Sequence, residues 1–171
     1  MIDKLFLQSH ALFGGISDEQ IDQVMVHLQQ QQYQPGSYLF HQDETGDQLY
    51  LITQGSVEVL NDADLQDPVR LAVRSIGDSV GEMALIDVQN RSASVRALEP
   101  VTALSLSNDA LGQIYQTNPL LFTQIIINIA REISRRLRSM DALLSCALYQ
   151  SSKCCDPNQA KNPAAVKGSE K

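Results

Sequence analysis

The segment from Gly81 to Val95 places one carboxylate and one guanidinium among small and apolar residues. Glu82 and Arg91 are nine positions apart, a spacing that matches neither a helix face nor a long alternating strand, so the segment is predicted to be a shaped loop. A guanidinium donates paired hydrogen bonds to an anion, and a carboxylate accepts them. The two residues could therefore hold an anionic small molecule. The alternative is a structural ion pair without a ligand.

Other residue types that commonly perform catalysis are not grouped in the sequence. His10, His27 and His41 fall in separate predicted elements, and no HExxH or CxxC spacing is present, so no metal site is predicted. No nucleophile-elbow sequence is present either. Cys154 and Cys155 are adjacent near the C-terminus and are interpreted as incidental thiols rather than a redox pair. The chain is therefore predicted not to be an enzyme.

Length and composition indicate one globular domain. The chain has 171 residues, of which 43% are hydrophobic and 19% charged, enough to bury a core without disulfides or metals. Its net charge of −7 disfavours nucleic acid as the main partner. All three cysteines lie near the C-terminus, and neither an export signal nor a membrane span is evident. We therefore expect a cytoplasmic protein.

The elements that must position the loop change type along the chain. Residues 2–13 predict a short helix, and Ser17 with Gln20 predicts a capping box that opens a second helix. From about residue 34 to 107 short β-rich runs alternate with turn residues, which predicts an antiparallel, jelly-roll-like β-roll. Within it, Gly55 is predicted to form a hairpin turn, and Glu99-Pro100 to connect another strand pair. The fold class is thus α+β.

A long helix is predicted over about residues 120–149, which completes a domain of residues 1–150. Its apolar residues alternate four and three positions apart, as in the seam of a coiled coil: Ile126, Ala130, Ile133, Leu137, Met140, Leu144 and Ala147. The seam predicts a homodimer, or else a face covered by the N-terminal helices of the same chain. The polar segment 151–171 is predicted to be a disordered tail.

One basic cluster lies on this helix, at Arg131, Arg135, Arg136 and Arg138. Three of these arginines lie opposite the apolar seam, so the cluster is interpreted as a solvated helix face. An acidic partner protein is the alternative.

The order of elements and the loop motif together resemble the cyclic nucleotide-binding domain family, which includes catabolite activators, kinase regulatory subunits and nucleotide-gated channels. The loop is similar to that family's phosphate-binding cassette, G-E-x-A-L followed by R-x-A-x-V, at Gly81, Glu82, Ala84, Leu85, Arg91, Ala93 and Val95. Pro35-Gly36, Gly46-Asp47 and Gly55 stand at turns that the resemblance expects. The resemblance spans roughly residues 10–145. Val80 and the spacer at residues 87–90 depart from the pattern.

The resemblance implies a regulatory domain that binds cyclic AMP or cyclic GMP, with Arg91 on the phosphate and Glu82 on the ribose 2′-hydroxyl. The ligand-binding residues that it implies are Gly81, Glu82, Met83, Ala84, Arg91, Ser92, Ala93, Met140 and Asp141. Met140 and Asp141 stand where the catabolite activators carry a hydroxyl pair that caps adenine, so the choice of base stays open between cyclic AMP, which we favour, and cyclic GMP. No helix-turn-helix follows the long helix, which favours a stand-alone sensor that signals to an unidentified effector protein or through its dimer. The alternative is a ligand-free interaction scaffold.

Overall fold

The computed structural model describes residues 2–61, 68–87 and 89–154. The chain divides into two compact units, one ending at Ile133 and the other beginning at Ser134. The first unit contains the β-sheets and all helices except the second part of the last one. The helices are α1 (Lys4–Ser9), α2 (Asp18–Met25), α3 (Met83–Asp87), α4 (Asn108–Thr117) and α5 (Pro119–Cys154).

In the described part of the chain, eight strands form two antiparallel four-stranded sheets, which confirms the predicted α+β fold. The strands are β1 (Gln29–Tyr33), β2 (Tyr38–Phe40), β3 (Gln48–Gln54), β4 (Val57–Asn61), β5 (Val69–Arg74), β6 (Ser79–Val80), β7 (Ser94–Ala97) and β8 (Val101–Ser107). The first sheet has the order β1-β8-β3-β6, and the second has the order β2-β7-β4-β5. Strands that follow each other in the chain thus often lie in different sheets, as in a roll.

Two predicted strand pairings are wrong. Gly55 was expected to close a hairpin between β3 and β4, but these strands belong to different sheets. Gly55 has φ +80°, and a Cβ atom there would meet the carbonyl oxygen of Pro100, so the glycine serves a crossing between the sheets. The connection at Glu99-Pro100 likewise joins β7 of the second sheet to β8 of the first.

The N-terminal part of the chain is only partly as predicted. The capping box is confirmed, because the Ser17 side chain accepts from the Gln20 backbone and the Gln20 side chain accepts from the Ser17 backbone. The single helix expected over residues 2–13 is instead α1 followed by a 3₁₀ turn at Ala11–Phe13, because His10 is extended and its imidazole Nδ1 accepts from the Leu12 N–H at 3.1 Å. Strand β1 was not predicted, so the roll begins earlier than residue 34.

The core has two parts, which lie on the two faces of the first sheet. On one face, Leu49 and Leu51 of β3 pack with the helices, including Ile21 of α2 and Leu121 of α5. On the other face, Tyr50 and Ile52 pack toward the second sheet together with Leu39, Phe40, Val57, Val80, Val95, Ala97, Val101 and Ala103. Strand β3 is therefore buried on both faces, which fixes its register. It also pairs with β6, the strand after which the loop begins.

Helix α5 starts after Asn118, whose side chain accepts from the Leu121 N–H at 3.1 Å. Its residues Leu121, Ile125 and Ile129 are fully buried in the first core, and Ile126 and Ile133 of the predicted seam also pack against it. The helix continues to Cys154, beyond the predicted end near residue 149. Residues 155–171 of the predicted tail lie outside the described residues. None of the described helices is long and apolar enough to cross a membrane.

Candidate functional site

The predicted loop interrupts the roll between strands β6 and β7. Strand β6 pairs with Tyr50 and Leu51 of β3, and Gly81 follows with φ +79°, a left-handed conformation that turns the chain into α3. The segment after α3 returns toward the roll through an isolated bridge between Thr45 and Asn90. Residues 81–93 are thus a loop held at both ends by sheet structure, as the sequence predicted.

Arg91 is tied to the segment that precedes β3. Its backbone N–H donates to the Glu44 carbonyl oxygen at 2.8 Å, and its own carbonyl oxygen accepts from the Asp43 N–H at 2.9 Å. Asp43 has φ +65°, a left-handed conformation. The tight turn at residues 41–45 thus places the Asp43 N–H and the Glu44 carbonyl oxygen against Arg91. The backbone position of Arg91 is therefore set by residues that lie far away in the sequence.

The Arg91 side chain is buried, with only 4% of its surface exposed. Its Nη1 donates to the Gly81 carbonyl oxygen at 3.0 Å, and its Nη2 donates to the Gln48 carbonyl oxygen at 2.8 Å. The guanidinium lies over the Phe40 ring, with Cζ 4.1 Å from the ring centroid, and is 6.0 Å from the Tyr50 centroid. Backbone dipoles and an aromatic face thus hold this cation in one orientation.

In the part of the chain that the structure describes, no carboxylate contacts the Arg91 guanidinium within 4.0 Å. Salt bridges at that distance instead include Lys4 with Asp22, and Glu58 with both Arg70 and Arg96. The proposed alternative of a Glu82–Arg91 ion pair is therefore not formed. Burial lowers the pKa of Arg91, and electrostatic interactions with Tyr50, Asp47, Glu44 and Glu82 oppose that shift.

The Nε–H of this buried cation is a hydrogen-bond donor that the described contacts do not use. The Nε of Arg91 is buried and has no hydrogen-bond partner in the part of the chain that the structure describes. An unsatisfied donor on a buried charged group is costly. Such an arrangement fits an anion that accepts the remaining N–H groups of the guanidinium.

The structure brings several other predicted residues into the same loop. Glu82 is buried at 5% exposure, and Ala93 is buried at 7%. Met83 is half-exposed, and the exposed Ser92 hydroxyl lies 4.0 Å from its sulfur, so these two side chains meet across the loop. Ala84 lies in α3. The neighbouring Leu85 N–H donates to the Glu82 carbonyl oxygen at 3.2 Å.

Met140 and Asp141 are on α5 in the second unit, and both are exposed, Met140 at 64%. Their predicted place in the ligand site therefore remains a prediction.

Sequence reasoning missed the residues that hold the guanidinium. Phe40 and Gln48 lie 51 and 43 positions before Arg91, and Gln48 contributes its backbone carbonyl rather than its side chain. A backbone acceptor leaves no residue-type signal. The nearest signal in the sequence is the turn predicted at Gly46-Asp47, which directly precedes Gln48.

Comparisons with known proteins agree on one family. A family profile described as "Cyclic nucleotide-binding domain" matches residues 30–118. The chain is 29% identical over 147 residues to the cyclic AMP receptor protein of Thermus thermophilus, a match that covers 86% of this chain and 66% of the relative. It is 33% identical over 112 residues to cGMP-dependent protein kinase, isozyme 1, of Drosophila melanogaster, covering 64% of this chain and 15% of the kinase.

A solved structure has the same fold along most of the chain. The cyclic nucleotide-binding domain from Methylobacillus flagellatus aligns with a TM-score of 0.74 at 30% identity, covering 82% of this chain and 80% of that structure. The chain spans less than two thirds of the length of the two curated relatives named above. What those longer proteins do as a whole is therefore not carried over with the shared domain.

Proposed function

Because the chain belongs to the cyclic nucleotide-binding domain family, we propose that residues 81–93 bind a cyclic nucleotide monophosphate. Such a ligand carries one negative charge on its ring phosphate and a free ribose 2′-hydroxyl. Arg91 supplies the cation for the phosphate, and Glu82 accepts a hydrogen bond from the 2′-hydroxyl. Gly81, Ala84 and Ala93 have small or absent side chains that let the ligand approach the backbone.

The observation that carries this proposal is the state of Arg91. It is a buried cation with two backbone partners, no contacting carboxylate among the described residues and an unused Nε–H. A guanidinium that only stabilised the loop would gain more from a carboxylate partner, because a buried charge without one retains much of its desolvation cost. A phosphate monoanion supplies the missing charge and the missing acceptor together.

Two exposed residues at the loop are suited to the less buried parts of the ligand. The Ser92 hydroxyl can donate to a phosphate oxygen or contact the base. Met83 offers an adaptable thioether that packs on either purine. Met140 and Asp141 of α5 are proposed to face the base, with Asp141 as an acceptor for amino hydrogens.

We favour cyclic AMP as the ligand, with cyclic GMP as the alternative. Relatives named for either nucleotide match this chain. The bacterial cyclic AMP receptor protein matches 86% of this chain, and the insect cGMP-dependent kinase matches 64% of it. Asp141 is the feature that could reverse the preference, because a carboxylate matches the paired N1 and N2 donors of guanine.

The proposed role is regulatory rather than catalytic, and the proposed location is the cytoplasm. Ligand binding would be signalled to a partner protein or from one subunit of a homodimer to the other. In the second unit, three large apolar side chains of the seam are more than half exposed: Leu137, Met140 and Leu144. Exposed apolar rows of this kind are typical of helix-helix interfaces. The seam residues Ile126 and Ile133 partly pack on the chain's own core, so the proposed dimer uses mainly the residues beyond them.

Thermal unfolding with cyclic AMP, cyclic GMP and linear 5′-AMP tests the binding proposal. A ligand that binds only the folded chain stabilises it by about 2.7 kcal/mol at 100 times its Kd, so at least one cyclic nucleotide should raise Tm by several degrees. Linear 5′-AMP should raise it much less, because its doubly charged, unconstrained phosphate does not match one guanidinium in a closed loop. No shift with either cyclic nucleotide would favour the ligand-free scaffold.

A further inference from the structure

The Phe40 ring beneath Arg91 has no counterpart in the motif from which the site was predicted. We propose that Phe40 is a positioning residue for the ligand: it holds the Arg91 guanidinium in its binding orientation while leaving that group's N–H donors available. This inference rests on the proposed binding of a cyclic nucleotide by Arg91. It adds a residue of strand β2 to the loop residues that are proposed to bind the phosphate and the ribose.

The contact is part of a stack that is itself fixed. Phe40 is buried at 8% exposure, and the Cζ of Arg91 is 4.1 Å from its ring centroid. On the roll side, the Phe40 ring stacks on Tyr50 with centroids 5.8 Å apart and an angle of 25°. Tyr50 is in turn in edge contact with Tyr33 at 6.3 Å. The ring therefore cannot move away without disturbing the second core.

An aromatic face stabilises a guanidinium differently from a carboxylate. The negative face of the ring attracts the cation over its plane, whereas hydrogen bonds to the guanidinium lie in its plane. Phe40 can therefore lower the cost of burying the charge without occupying an N–H group. A carboxylate at the same place would occupy those donors and compete with a phosphate for them.

Gly81 shows how closely these groups are fitted. A Cβ atom at residue 81 would lie 2.5 Å from Arg91 Nη1 and 3.3 Å from Phe40 Cε1. The guanidinium is thus confined between the Phe40 ring and the Gly81 backbone. Within that space Nη1 and Nη2 each donate one of their two hydrogens to a carbonyl oxygen, and the buried Nε–H has no partner in the described part of the chain, so N–H donors remain for a ligand.

The proposal is tested by comparing Phe40→Leu with Phe13→Leu. Both changes replace a buried aromatic ring with an aliphatic side chain, but Phe13 belongs to the other part of the core. The ligand for isothermal titration is whichever of cyclic AMP and cyclic GMP binds the wild type more tightly. Phe40→Leu should bind it about 3- to 30-fold more weakly, whereas Phe13→Leu should bind it with affinity near wild type. Phe40→Tyr should retain at least part of the affinity. Equal affinities of Phe40→Leu and Phe13→Leu would overturn the proposal.

A readout that needs no ligand separates this inference from the proposed function. In the ¹⁵N spectrum of labelled arginine side chains, the Arg91 Nε–H resonance can be identified by its loss in Arg91→Lys. A fixed position over an aromatic ring should change the chemical shift of this resonance. In Phe40→Leu the chemical shift should move toward that of exposed arginine side chains. An unmoved resonance would refute positioning by Phe40. If the wild type binds neither nucleotide, the proposed function fails, and the resonance still decides whether Phe40 orients the guanidinium.

Discussion

The Nη1 of Arg91 donates a 3.0 Å hydrogen bond to the carbonyl oxygen of Gly81, so the cation near the end of the loop is tied to the glycine that begins it. Gly81, Arg91 and the nine positions between them close into a ring through this bond. A displacement of either residue therefore changes the position of the other. The orientation of the ligand-binding group depends on backbone atoms as well as on the side chain itself.

Gly81→Ala should impair ligand binding, and Gly77→Ala provides a matched control. Both glycines have positive φ, +79° and +86°, but a Cβ at residue 81 would lie 2.5 Å from Arg91 Nη1, whereas nothing lies within 4 Å of a Cβ at residue 77. Each variant should lose about 1 to 3 kcal/mol of stability from backbone strain. Only Gly81→Ala should show a Kd for the cyclic nucleotide at least about 10-fold higher than that of the wild type, which corresponds to about 1.4 kcal/mol of binding free energy. Equally weak binding by both variants in titration would contradict this assignment.

Arg91→Ala should abolish detectable cyclic nucleotide binding and leave the fold intact. Loss of charge-assisted hydrogen bonds leaves the phosphate unpaired, which should weaken binding at least about 100-fold. Stability in denaturant should change by no more than about 2 kcal/mol, because the removal of a buried charge offsets part of the lost contacts. Arg96→Ala serves as the control, since Arg96 bonds Glu58 at 2.7 Å in the second sheet. An Arg91→Ala variant that binds within a few-fold of wild type would show that the site is misplaced.

Glu82→Ala should weaken binding less than Arg91→Ala and should reduce discrimination against 2′-deoxy ligands. The proposed hydrogen bond from the ribose hydroxyl to the carboxylate exists only in ribonucleotides, and a hydrogen bond to a charged group contributes about 1.5 to 3 kcal/mol. Dissociation constants for the cyclic ribonucleotide and its 2′-deoxy analogue, measured in both proteins, test this. A ratio of the two constants that is the same in wild type and variant would exclude Glu82 from the ribose contact.

The loop was predictable from the sequence because its chemistry is local. Gly81, Glu82, Arg91 and Ala93 stand at fixed spacings within one short segment, and the backbone conformation of Gly81 agrees with its residue type. The neighbours of the Arg91 side chain were not predictable. Phe40 and the Gln48 carbonyl approach it only through the pairing of strands in different parts of the chain, and such contacts leave no periodic signal.

Strand pairing was the weakest part of the sequence prediction for a related reason. A glycine between two β-rich runs, such as Gly55, is expected both in a hairpin and in a crossing between two sheets, so residue type does not distinguish them. Strand β1 was missed because its sequence QQQQY lacks apolar alternation. It forms where Gln29 to Tyr33 pair with β8, a contact that depends on the completed sheet.

A homodimer through the exposed part of α5 should weaken when its apolar row is made polar. Leu137 and Leu144 are 58% and 60% exposed and stand one heptad apart at equivalent seam positions. Leu137→Ser with Leu144→Ser should shift the molar mass measured by light scattering from dimer toward monomer at tens of micromolar. Leu143→Ser is the control, because Leu143 is 72% exposed but lies outside the seam. A wild-type chain that is monomeric at that concentration would refute the dimer.

Base selectivity should depend on Asp141 if α5 contributes to the ligand site. An ionised carboxylate can accept one amino hydrogen of adenine, or both the N1 and N2 donors of guanine. Met140 beside it is indifferent to the edge of the base, because a thioether packs on either purine. We expect wild type to bind cyclic AMP more tightly, and Asp141→Ala to change the ratio of the two dissociation constants in favour of cyclic AMP if the side chain faces the base. A wild-type preference for cyclic GMP that disappears in Asp141→Ala would reverse our choice of ligand. A ratio that Asp141→Ala leaves unchanged would place Asp141 outside the site, and base selection would then rest on the loop residues Met83 and Ser92.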